Sequence, residues 1–211
     1  LFNPGSAAIS LEGWRLSDGG DITILLNGVL APGAYFLLER GDDQTVSDIP
    51  ADLIYSGALN NSGESLTLFG PNSEIVDTAN VNGGGWAAGS GAPNYDSMER
   101  VGAALPDDDA NWASNNRVIR NGLDANGNPL NGTPRQLNAA SQSTPTPTPT
   151  LTPTSGPTPT ATATPAPIVP RAVVINEVAW GGTAASSSDE WLELFNPGSA
   201  AISLEGWRLS D

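Results

Sequence analysis

Hydrophobic positions along this chain fall in short runs, each closed by glycine, proline, asparagine or serine. The segment EWLELFN (190–196) alternates Trp191, Glu193 and Phe195 against Leu192 and Leu194 before stopping at Pro197-Gly198. That two-residue period is the mark of a strand with two different faces. AVVINEVAW (172–180) is a β-branched run ending at Gly181-Gly182, and it also predicts a strand. Further strands are predicted over 7–11, 13–17, 21–26, 34–39, 52–56, 65–69 and 74–80. The last two flank Gly70-Pro71-Asn72-Ser73, which predicts a hairpin. No window sustains the 3.6-residue period of an amphipathic helix. Short strands about ten residues apart, with turn signals between them, predict an all-β chain folded as a β-sandwich. From Asn82 to Gln142 the text turns rich in Gly, Asn and Pro, and it is expected to form a long, loop-rich return pinned by Trp86, Met98 and Trp112.

The chain also repeats itself. Residues 1–18 and 194–211 both read LFNPGSAAISLEGWRLSD, identical at eighteen positions with an offset of 193. A duplication made during cloning would explain this; a slice through a tandem array explains it better, because the offset holds one whole domain and one linker. The linker is 143–171, with nine Pro, ten Thr and no charge before Arg171. Alternating Thr-Pro denies the backbone donors and favours an extended rod, so the segment is expected to stay disordered as a spacer reaching roughly 90 Å. Its hydroxyls suit an O-glycosylated stalk. The division expected is therefore a domain over 1–142 lacking its first strands, a linker over 143–171, and the opening strands of a next repeat over 172–211. In this permuted frame 172–193 should add to the open edge of 1–142, in the same chain or by exchange between chains. Residues 194–211 should then compete with 1–18 for one position.

Composition narrows the chemistry. Eight basic residues, all Arg, stand against 23 acidic ones, for a formal net charge of −15, with no His, Cys or Lys. Without His and Cys there is no Ser-His-Asp triad, no ordinary zinc site and no disulfide. Without Lys there is no phosphate-loop lysine and no Schiff base. The acidic balance argues against nucleic acid and anionic membranes as partners. No apolar run approaches the ~18 residues of a membrane-spanning helix, and residue 1 opens in mid-pattern without a signal peptide.

The order VINEVAW (174–180), DEWLELFNP (189–197) and SLEGWRLSD (203–211, also 10–18) resembles the lamin-tail domain family. APGAYFLL (31–38), SGESLTLF (62–69) and VDT (76–78) fit the same pattern, and SMERV (97–101), NW (111–112) and DANGNPLNGTP (124–134) resemble the C-terminal stretch of bacterial, tandem-repeat versions. The resemblance implies an immunoglobulin-like β-sandwich with no catalytic residues or cofactor of its own. It also implies an exported or cell-surface setting, in arrays or beside hydrolases and nucleases. The motif residues are Asn176, Glu177, Trp191, Glu193, Trp14 and Trp207. Trp14 and its copy Trp207 stand in a Gly-Trp-x-Leu alternation suited to a sandwich core. Glu177 and Glu193, on apolar strands, must face out or find a partner such as Arg15 or Arg208.

Other motifs carry weaker signals. Asp107, Asp108 and Asp109 beside Asn111 are the candidate calcium ligands, since hard cations take carboxylate oxygens; a solvated, repelling loop is the plainer reading. Asp124-Ala125-Asn126-Gly127-Asn128 begins like a calcium-binding EF-hand loop, but its sixth position is Pro129 and its twelfth Arg135, where Gly and Glu are required. Gly83–Gly85 and Gly89-Ser90-Gly91 lack the strand-to-helix context of a phosphate cradle. Arg40-Gly41-Asp42 spells an adhesive tripeptide at a strand end, better read as a turn. Glu39, Glu64 and Glu99 are the carboxylates a glycosidase would need, with nothing in the sequence to bring two together. Asn60-Asn61-Ser62 and Asn131-Gly132-Thr133 are glycosylation sequons. The functional expectation is a non-catalytic module for display, spacing or adhesion, with neighbouring repeats and a protein or glycan ligand as partners. The alternatives are an accessory domain that positions a neighbouring hydrolase or nuclease, and a calcium-stiffened surface repeat.

Overall fold

A computed structural model describes residues 9–10, 15–20, 22–26, 29–31, 33–70, 72–142, 171, 173–196, 202–203 and 208–210. The first eight strands are β1 (Ile9–Ser10), β2 (Arg15–Ser17), β3 (Thr23–Leu25), β4 (Val29–Leu30), β5 (Tyr35–Arg40), β6 (Leu53–Tyr55), β7 (Leu66–Phe69) and β8 (Ile75–Ala79). They are followed by β9 (Met98–Arg100), β10 (Trp112–Ser114), β11 (Val174–Ala179), β12 (Trp191–Phe195), β13 (Ile202–Ser203) and β14 (Arg208–Ser210). Among the described residues the only helical pieces are 3-10 turns at Asp109–Asn111 and Ala139–Ser141. The chain is all-β, and the linker expected over 143–171 lies almost wholly outside the described residues.

Two large sheets make the body. One has the order β10-β9-β11-β12-β5-β6, the other β14-β3-β2-β7-β8, and a small third sheet runs β1-β13-β4. The inner faces of the large sheets pack together: Leu16, Ile24, Leu66, Leu68 and Val76 from one meet Phe36, Leu38, Met98, Ile175, Val178, Leu192 and Leu194 from the other. This is a β-sandwich arrangement. The predicted hairpin is present, with Leu66–Phe69 antiparallel to Ile75–Ala79.

The strands from the far end of the chain occupy the middle of the six-stranded sheet. β12 pairs with β5 through Trp191↔Glu39 to Phe195↔Tyr35, and β11 lies between β12 and β9. The stretch 82–142 corrects one expectation. Met98 and Trp112 do pin it to the core, but they do so inside strands β9 and β10. Local Gly and Asn content conceals these strands, and β11, the inner partner of β9, lies some eighty residues away in sequence.

β11 carries a bulge. Ile175 is opposite Leu194, whereas Glu177 is opposite Glu193, so Asn176 is the extra residue. A strict two-residue period would turn Val178 away from the core side that Ile175 occupies. The bulge returns Val178 to the core and sends Glu177 to the opposite face.

Candidate functional site

That opposite face carries a row of carboxyls. Glu99 on β9, Glu177 on β11 and Glu193 on β12 are direct lateral neighbours, and Glu39 stands on the next strand, β5. All four are fully buried. Trp191, on the same face, packs with Leu37, Val46, Leu130 and Ala179 in a second apolar cluster beside them. The lid over the row is the return segment 115–142.

Glu99, Glu177 and Glu193 are held by donors from that lid or from the sheet, and Glu39 accepts from Val46 N, in the loop after β5, at 3.2 Å. Glu177 accepts from the Thr133 amide at 2.8 Å, from Thr133 Oγ1 at 2.9 Å and from the Ser97 hydroxyl. Glu99 accepts from Asn115 Nδ2 at 2.6 Å, Ala140 N at 2.9 Å and Thr133 Oγ1 at 3.1 Å. Glu193 accepts from the bulged Asn176 at 2.9 Å and from the Arg135 amide. Asn138 locks the bulge in turn, donating to the Arg100 and Asn176 carbonyls and accepting from Asn176 Nδ2 at 2.8 Å. Gly132 brings the lid close: a Cβ there would meet Trp191 Cζ2 at 2.6 Å and Glu177 Oε1 at 3.0 Å.

Electrostatics keep these groups protonated above the ordinary carboxylate range. Burial, then the neighbouring Glu99 and Glu193 charges, push Glu177 well up. Burial raises Glu193 to about 8 and Glu39 to about 7, and it raises Glu99 as well. Proton counting agrees. Thr133 Oγ1 has one hydrogen yet touches an oxygen of both Glu99 and Glu177, so one carboxyl of that pair must donate to it. Oε1 of Glu39 and Oγ1 of Thr45 are buried with no hydrogen-bond partner among the described residues.

Glu177 and Glu193 take their partners from the lid and the sheet, and Arg15, one of the two expected, is not among them. Arg15 belongs to the other sheet, where its guanidinium lies 4.1 Å above the Phe69 ring; the Arg208 side chain lies outside the described residues. The bulge turns Glu177 toward the polar lid, and the regular alternation of β12 places Glu193 on the same face. Of the predicted motif residues, Asn176, Glu177, Trp191 and Glu193 come together here, while Trp14 and Trp207 lie outside the described residues. Sequence reasoning missed Glu99 as their neighbour, and Ser97, Asn115, Thr133 and Asn138 as the donors. The available signal was an Asn-rich return in a chain with two acidic residues on apolar strands.

The other candidates are dispersed. Glu39 and Glu99 share the buried face with two strands between them, and Glu64 lies apart, in a recess with Asp18 and Asn60. Arg40 of the adhesive tripeptide pairs with Glu190 at 3.4 Å, and Asp42 accepts from Gln44 N at 3.0 Å. Thr133 of the second sequon is buried, and its Asn131 amide donates to the Asn94 carbonyl at 2.6 Å.

Asp107, Asp108 and Asp109 line a shallow recess with Val81 and Asn82. Asp107 accepts from Thr78 Oγ1 at 2.8 Å, Trp112 Nε1 at 2.8 Å, Val81 N at 2.9 Å and Asn80 N at 3.1 Å. Asp108 caps the 3-10 turn through Ala110 N, and Asp109 accepts from Asn82. Among the described residues no group of three or more acidic side chains is arranged to hold a metal ion, and no helix is long and apolar enough to cross a membrane. Asp107→Ala strands four donors and is expected to cost about 2–4 kcal/mol. A urea melt checks this, and a loss below about 1 kcal/mol would show that water replaces the carboxylate without penalty.

A buried ionic contact joins the two sheets. Arg100 donates to Asp77 at 2.9 Å and to the carbonyls of Ile175, Thr78 and Leu105, with its guanidinium 4.6 Å above the Trp112 ring. Burial raises the Asp77 carboxyl while Arg100 and the Ile175 amide oppose the rise.

Comparison of the chain with protein-family models, with curated proteins and with solved structures finds no match.

Proposed function

We propose that this chain is a non-catalytic, lamin-tail-like module of a secreted or cell-surface repeat protein, an immunoglobulin-like sandwich used for display, spacing or adhesion. The observation that carries this reading is the eighteen-residue identity of 1–18 and 194–211, with strands of both copies paired into the sheets of one body. A unit that recurs after a Thr/Pro spacer is built to be strung in series. The Glu99, Glu177 and Glu193 carboxyls support the same reading, because they accept from protein donors that close the lid over the sheet. Neighbouring repeats, and a protein or glycan ligand, are the partners this role requires.

Linked copies raise the effective concentration of weak sites. A chain carrying two complete repeats should therefore bind cells, glycan arrays or cell wall about a hundredfold more tightly than one repeat. Equal binding by the two forms would sink the adhesion part of the proposal and leave spacing as the role.

A further inference from the structure

Strand β3 is bonded on both sides by the same three residues. On one side Arg15, Leu16 and Ser17 face Leu25, Ile24 and Thr23. On the other, Arg208, Leu209 and Ser210 face the same three in the same register. The small sheet shows the same duplication: Ile202-Ser203 lies antiparallel to Val29-Leu30, with its own copy, Ile9-Ser10, parallel on its outer side. The two copies therefore divide the available positions. Residues 15–17 hold the place between β3 and β7, and residues 202–203 hold the place beside β4.

Two segments of identical sequence have the same intrinsic pairing energy for a given edge. Which one occupies it depends on connectivity and effective concentration. The outer edge of β3 would otherwise present a row of unpaired backbone groups, a template for an added strand. We infer that the β3–β4 edge is an acceptor for the segment LFNPGSAAISLEGWRLSD of a second copy of this chain, so that one repeat docks its strands on the next. The contact joins an edge of one copy to a segment of the other. It is heterologous, and it propagates head to tail rather than closing into a two-fold dimer. This inference deepens the reading of the chain as a serial module and rests on it.

The test uses the intact chain and a labelled synthetic peptide of residues 194–211, with a scrambled peptide as control. Excess peptide should displace the resident copy: backbone amides of 208–210 lose hydrogen-exchange protection while those of 23–25 keep theirs. A full-length variant with Ile202→Pro and Leu209→Pro removes donors from the resident copy alone, and it should bind the peptide about tenfold more tightly than the unaltered chain. Protection of 208–210 that persists at millimolar peptide, or binding no better than the scrambled control, overturns the proposal. The unaltered chain supplies the exchange result, so the conclusion stands even if the proline variant fails to fold. A negative exchange result with two-copy avidity intact removes strand docking and keeps the module. Loss of avidity with peptide exchange intact does the reverse.

Discussion

Ending the chain after Gln142 is expected to abolish cooperative unfolding altogether. The truncation removes β11 and β12, which lie between β9 and β5 in the middle of the six-stranded sheet. What remains of that sheet is two separate pairs, β10-β9 and β5-β6, and isolated two-stranded pieces are marginal in water. The lost segment also carries Val173, Val174, Ile175, Val178, Trp191, Leu192 and Leu194, all buried. At roughly 1.5–3 kcal/mol for each fully buried apolar side chain, their removal forfeits on the order of 10 kcal/mol or more. A domain's whole stability is about 5–15 kcal/mol, so the remainder cannot hold. Near-ultraviolet circular dichroism and a thermal melt check the outcome. Adding a peptide of residues 171–196 should restore part of the signal, since β11 and β12 form an antiparallel pair with each other. A sharp, two-state melt of residues 1–142 alone would show that the far strands are dispensable.

The second large effect is a loss of stability on the alkaline side. Burial raises Glu193 from 4.5 to about 8 and Glu39 to about 7, and it holds Glu177 well above its ordinary range. A carboxyl whose pKa is raised by folding binds more protons in the native state than in the unfolded one. Stability is therefore fullest below about pH 4.5 and declines as pH rises towards the folded values near 7 and 8. The decline is expected to be on the order of 5 kcal/mol between pH 5 and 8. Chemical denaturation at fixed ionic strength across that interval gives the slope. Glu177→Gln imitates the protonated acid, because its Nε2 can donate to Thr133 Oγ1 while that hydroxyl donates to Glu99. The variant should flatten the pH dependence and exceed the unaltered chain in stability at pH 8. A chain whose stability rises from pH 5 to 8, or a variant with an unchanged slope, would mean that the row is ionised in the native state.

Much of the architecture was readable in local pattern. The two-residue alternation of 190–196 and the β-branched run of 172–180 marked β12 and β11, and the Gly70–Ser73 turn marked the hairpin of β7 and β8. The missing residue types removed whole classes of chemistry before any fold was drawn. Strands β9 and β10 escaped because Gly- and Asn-rich text dilutes the alternation that betrays a strand. The carboxyl row escaped for a different reason: Glu99, Glu177 and Glu193 are scattered over 94 positions (99 to 193), and nothing local signals that they meet.

By itself, the sequence determined that the chain is all-β, where most strands run, and that one eighteen-residue segment occurs twice. Those properties follow from side-chain period, turn chemistry and plain identity, each contained within a short window. Tertiary structure alone decided that β11 enters between β9 and β12, and that a bulge at Asn176 turns Glu177 away from the core. It also decided that Thr133 reaches Glu177 from 44 residues away, and that one copy of the repeat takes the place beside β7 while the other takes the place beside β4. Strand order and burial depend on which distant surfaces exclude water from each other. For two identical segments, only their connections to the rest of the chain can tell them apart.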